Sequence, residues 1–108
     1  MAYSVVIAGP AERDLDHALG YIANVLAAPG AASALLDEFE RLLVLLADNP
    51  SLFGVDFDVS EAVAARVRHC MVKGYEVYYQ VDEASHRVLV LALLHGSRDA
   101  VRIMTRRL

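Results

Sequence analysis

Cysteine occurs once in the 108 residues, at position 70, and tryptophan does not occur at all. A lone thiol permits neither an internal disulfide nor a cysteine-based metal cage; it suits a reducing compartment, with Cys70 as a small core residue. Glycine numbers six and proline three. Gly9, Gly74 and Gly96 fit turns and strand ends, without the spacing of a phosphate loop. No apolar run reaches the roughly 18 residues that span a bilayer. The start MAYSVVIAGP lacks the basic residues and long apolar stretch of a secretory signal. These absences predict a cytoplasmic protein with no membrane partner. What remains is 56% apolar, ample for one core, over a length that predicts one domain, residues 1–108.

Basic residues are scarce in one half. Residues 1–62 hold Arg13 and Arg41 against ten acidic residues, a net charge of −8, whereas residues 63–108 hold eight basic residues against four acidic ones, a net charge of +4. The basic half can meet a polyanion or an acidic partner while the whole stays soluble, and charge alone does not choose between them.

Residues 3–8 read as a strand ended by Gly9-Pro10. Leu15, Ala18, Leu19, Ile22, Val25 and Leu26 then recur at helical spacing until Pro29-Gly30, with Glu12, Asp14 and Asp16 near the positive end of the helix dipole. Leu35, Leu36, Phe39, Leu42, Leu43 and Leu46 mark a second helix, with Asp37 and Arg41 paired outside and Asp48-Asn49-Pro50 as its stop. Residues 51–61 lack a period and read as a loop whose Leu52, Phe53, Val55 and Phe57 pack downward. Residues 63–72 are compatible with a strand and Lys73-Gly74 with a turn. Residues 75–81 place Tyr75, Val77, Tyr79 and Val81 on one face and Glu76, Tyr78 and Gln80 on the other. Residues 87–94 are apolar on both faces, as in an interior strand, with residues 3–8 as a neighbour. The tail, residues 97–108, predicts a short helix with Val101 and Met104 apolar and a basic stripe of Arg98, Arg102 and Arg106. The order predicts an α+β domain: a strand, a helical hairpin laid over one face of a small antiparallel sheet, three strands and a short helix.

Several segments resemble one family. Tyr3-Ser4-Val5-Val6-Ile7 followed by Ala11-Glu12-Arg13-Asp14-Leu15, then Tyr21-Ile22-Ala23, Val72-Lys73-Gly74-Tyr75, Tyr78-Tyr79-Gln80-Val81-Asp82-Glu83 and Leu93-Leu94-His95-Gly96-Ser97-Arg98-Asp99 are similar to the RelE/ParE superfamily of bacterial toxins. The resemblance runs through nearly the whole chain. It implies the toxin of a type II toxin-antitoxin pair, a growth inhibitor of the kind linked to plasmid stabilization, silenced by a cognate antitoxin and needing no cofactor. Two mechanisms exist in that superfamily. RelE-like members cut messenger RNA on the ribosome through attack of a ribose 2′-hydroxyl on the neighbouring phosphate, without a metal; ParE-like members bind and trap DNA gyrase. A chain that only binds its antitoxin, without arresting growth, is a third reading. Whether the toxin is a homodimer or a hetero-oligomer with its antitoxin stays open.

A metal-independent endoribonuclease needs a base, cations around the phosphorane and an acid for the leaving oxygen. Arg66 and Arg68, two apart on a strand, emerge on one face and suit a bidentate phosphate clamp. Lys73 and Arg98 are expected to converge with them. His95 shares strand parity with Leu89, Leu91 and Leu93, as either a ring capping the core or an acid/base that titrates near neutrality. A nuclease would therefore use His95 and Arg68. Binding of phosphate or a partner would use Arg66, Arg68, Lys73, Tyr78, Arg98 and Arg102, with Tyr78 the surface tyrosine. An acidic, amphipathic antitoxin segment is expected across the basic half, beside Arg98 and Arg102. Against the nuclease, residues 100–108 hold neither tyrosine nor histidine and the chain is net acidic, so the pattern Leu94 to Asp99 leans to the ParE-like side, with Arg98 anchoring a partner or pairing with Asp99. His17 is expected to face solvent, and His69 and His86 are too scattered to specify a metal site.

Overall fold

A computed structural model describes residues 2–96 and 98–108; Ser97, which the sequence places at the start of the tail, lies outside them. The elements run β1 (Ser4–Ile7), α1 (Gly9–Gly20), a π-helical turn (Tyr21–Val25), α2 (Pro29–Asp48), α3 (Phe57–Val63), β2 (Arg68–Val72), β3 (Tyr75–Asp82), β4 (Arg87–His95) and α4 (Ala100–Arg107). The sheet order is β1-β4-β3-β2. Strands β2, β3 and β4 form the expected antiparallel meander, with Lys73 (φ 49°) and Gly74 (φ 83°) as its two-residue turn. Strand β1 lies parallel to β4, so the sheet is mixed. The reason is topological: the α1–α2 hairpin returns the chain to the β1 end before the meander begins, and three strands then leave β4 running with β1.

The hairpin covers one face as the 3.6-residue period predicts. Leu15 and Ala18 of α1 and Leu35, Phe39, Leu42 and Leu46 of α2 are buried against Val77, Tyr79, Val88, Val90 and Leu93. The first helix does not keep its period to Pro29. After Gly20 it widens into the π turn, where the Leu26 amide donates to the Tyr21 carbonyl, five residues back, at 3.0 Å. That rotation takes Val25 and Leu26, expected on the apolar face, out to solvent.

The other face is covered too, contrary to expectation. Residues 57–63, read as loop, form α3, because Asp56 caps it with Oδ1 accepting from the Val59 amide at 3.0 Å. Two turns are too short to show a period, and the expected packing of Phe57 fails: it is 80% exposed, while Val59 is buried. Residue 63 ends this helix, so the strand expected from there starts only at Arg68. With α4 contributing Met104, α3 buries Tyr78, Leu91, Ala92 and Leu94. Arg41 pairs with Glu38 rather than Asp37. No described helix is long and apolar enough to cross a membrane.

A β-bulge in β4 decides which side chains reach which face. Tyr78 stands opposite Ala92 and Tyr79 opposite Val90, leaving Leu91 without an opposite number. The extra residue inverts the alternation. Leu89 and Leu91 point to α3 and α4, Leu93 to α1 and α2, and the parity that placed His95 with Leu89 and Leu91 breaks at the bulge.

Candidate functional site

The expected convergence of four cations does not occur. Arg68 pairs across from Tyr79 at the start of β2, whereas Lys73 lies beyond Val72 at its end, about 16 Å along the chain. Gly96, just past His95, donates its amide to the Gly74 carbonyl at 3.1 Å, so Lys73 and His95 share the hairpin end of the sheet. Arg66 and Arg68 do come together, in a hollow of about 100 Å³ with Ser51, Val81 and Glu83. There Glu83 opposes an anion, and Arg68 Nη1 already donates to the Phe53 carbonyl at 2.6 Å. Together with the Tyr79 hydroxyl, which donates to the Pro50 carbonyl at 2.9 Å, Arg68 pins the segment that precedes α3. Geometry therefore makes it a tether of that segment.

Tyr78 is not the surface tyrosine. Only 5% exposed, it is roofed by α3 and α4 and stacked on His69 at 5.9 Å between ring centroids, and burial pushes its phenol up to about 12. His69 in turn meets Glu76 at 2.9 Å and Asp56 at 3.4 Å, joining β2, β3 and the cap of α3. Among the described residues, no cluster is placed to hold a metal ion.

The larger concavity lies where α1 and the π turn face the ends of β3 and β4, a cleft of about 740 Å³. His17 and Tyr21 stand on the helical wall and Tyr75, Leu93 and His95 on the sheet wall, with Arg98 at the rim. His17 is exposed as expected, but it looks into this cleft. Tyr75 and His95 meet edge to face, 5.5 Å apart at 88°. Arg98 is exposed and takes no part in the ion pairs formed among the described residues. Asp99 does not pair with it: Asp99 Oδ1 accepts the Arg102 amide at 3.2 Å and caps α4. Beyond the cap, Arg102 and Arg106 continue the exposed stripe.

Asp14 lines the cleft and pairs with Arg107, and neither has a distinguishing sequence signal. The carboxylate of Asp14 accepts two hydrogen bonds from Arg107, at 2.6 and 2.9 Å, and one from the Leu93 amide at 3.0 Å. Arg107 Nη1 also donates to the Leu91 carbonyl at 3.2 Å. Pairing of β1 with β4 ends at Ile7 and Val90, so this ion pair satisfies the backbone of β4 just where β1 stops reaching it. Arg107 looked like one more arginine of a basic tail. The bulge that exposes its partners is not visible in a hydropathy pattern.

A helical hairpin on a mixed four-stranded sheet, with a short capped helix after the last strand, defines a RelE/ParE-like toxin fold. The family model for the ParE toxin of the parDE type II toxin-antitoxin system matches residues 5–100, and the chain belongs to that family. No curated protein matches it closely enough to count as a relative.

Proposed function

We propose that this type II toxin acts by binding, as a ParE-like inhibitor of DNA gyrase in the cytoplasm, and that its antitoxin silences it by covering the same basic surface. The observation that carries this reading is the separation of the cations. Arg66 and Arg68, expected as a phosphate clamp, lie at the opposite end of the sheet from His95, and Arg68 is held by the Phe53 carbonyl. Meanwhile Arg102 and Arg106, four apart on the tail helix, and Arg98 just before its cap stand exposed, a geometry suited to a binding face. A RelE-like ribonuclease is the second reading, favoured by His95 and Arg98 lining one cleft. Purified toxin is added to a gyrase supercoiling assay and, in parallel, to a translating extract with end-labelled messenger. Loss of supercoiling with accumulated double-strand breaks is expected. Site-specific messenger cleavage with gyrase unaffected would transfer the assignment to the nuclease, and a chain that neither arrests growth nor acts in either assay would be an antitoxin-binding module alone.

A further inference from the structure

The π turn leans on the core through Ile22 alone and leaves Tyr21, Asn24 and Val25 exposed. Such turns inside helices recur at functional sites, and this one brings Tyr21, Asn24 and Val25 to the 740 Å³ cleft. That volume is within the roughly 300–1,000 Å³ of small-ligand pockets. The chemistry of the walls is specific. Tyr21, 52% exposed, and the edge-to-face pair of Tyr75 and His95 offer ring surfaces on both sides. The Asn24 amide carries one donor group and one acceptor, suiting the edge of a base, and Arg98 at the rim suits a phosphate. Asp14 is already matched by Arg107. Asp16 against Arg98 then leaves the cleft near neutral, which suits a large planar ring with one phosphate better than a polyphosphate.

We propose that this cleft binds a nucleotide, its base held between the tyrosines with Asn24 on its edge and its single phosphate on Arg98. The site shares Arg98 with the binding face proposed above, and it goes beyond that reading in the ligand it takes. The ligand is either a free mononucleotide or the terminal residue of a single strand, and the two share this chemistry. Calorimetric titration of the full chain uses the four ribonucleoside 5′-monophosphates, their nucleosides, inorganic phosphate and a 5′-phosphorylated tetranucleotide. At least one monophosphate is expected to bind, its nucleoside about tenfold more weakly, and phosphate alone not at all. Arg98→Ala should lower nucleotide affinity to that of the nucleoside, and Tyr21→Ala should weaken both about tenfold by removing a stacking surface. Arg41→Ala, exposed on α2 and paired with Glu38, should change nothing. Both targeted residues are exposed, and circular dichroism checks that the variants fold. A tetranucleotide that binds more tightly than the monophosphate assigns the strand end; equal affinities assign the free nucleotide. Absence of binding at about 10 mM ligand, which is weaker than about −3 kcal/mol, would overturn the proposal and leave the cleft to a protein side chain. Nucleotide affinity unchanged by both Arg98→Ala and Tyr21→Ala would overturn it equally.

Discussion

Asp14 joins three parts of the molecule through one carboxylate: α1 carries it, the tail arginine Arg107 grips it, and the β4 amide of Leu93 donates to it. Both side chains of the ion pair are mostly shielded, 17% and 22% exposed. Removing either leaves a charge and backbone groups unsatisfied beside the sheet. Asp14→Ala and Arg107→Ala should each lower unfolding free energy by about 2 kcal/mol in urea titrations, and the double variant should lose clearly less than the sum. Arg98, also charged and in the same C-terminal segment, has no such partner among the described residues. Arg98→Ala should stay within about 0.5 kcal/mol of wild type while toxicity on induction or antitoxin affinity falls; if it unfolds the domain, Arg98 is structural. His95→Gln should leave gyrase poisoning intact, whereas loss of toxicity through lost messenger cleavage would support an acid/base role.

At the scale of elements, α3 and α4 are short helices held from outside themselves, each started by an aspartate cap and anchored by one buried residue, Val59 and Met104. Helix α3 depends most on its cap, since Asp56 also faces His69. Asp56→Ala should cost about 1 kcal/mol and speed amide exchange in residues 57–63 without changing it in α2, as hydrogen-exchange mass spectrometry would register. Uniform acceleration would mean that α3 and the core open together. Tyr78 under that roof is a different matter: Tyr78→Ala removes a buried ring and should cost about 3 to 5 kcal/mol. The helices of the hairpin were legible from their period. Helix α3 was not, because two turns with one core residue leave no pattern, and only its cap could have suggested it.

Over the whole molecule, acids that are neutral when buried set the alkaline limit. Burial pushes the Cys70 thiol from its ordinary 9.0 up to about 11, and the Tyr78 and Tyr79 phenols from 10.0 up to about 12. Each folded value is raised, so the stability it contributes is complete below the unfolded value and is lost as pH rises toward the folded one. The urea midpoint should therefore hold steady up to about pH 9 and fall between about pH 9 and 12. Tyr79→Phe should flatten part of that fall, while giving up about 1 kcal/mol at neutral pH with the bond to the Pro50 carbonyl. A midpoint that fails to drop by pH 11 would contradict this account of the burial of these groups.

The linear pattern of apolar and charged residues determined most of the architecture. The amphipathic hairpin, the faces of β3, the apolar β4 and the late basic stripe follow from periods of 3.6 and 2, which local geometry imposes on any chain. Family membership was legible too, in motifs spread along the chain. What only the tertiary structure decided depends on one extra residue in β4 and one in the turn after α1. The bulge sends Leu91 and His95 to opposite faces, and the π turn takes Val25 and Leu26 from core to surface. Such insertions shift the phase of everything after them, and a repeat pattern cannot show a phase shift whose cause is the partner strand or the facing helix. For the same reason the arginines separated by function: Arg68 and Arg107 became tethers because carbonyls and a carboxylate met them in space, while Arg98, Arg102 and Arg106 stayed exposed to solvent.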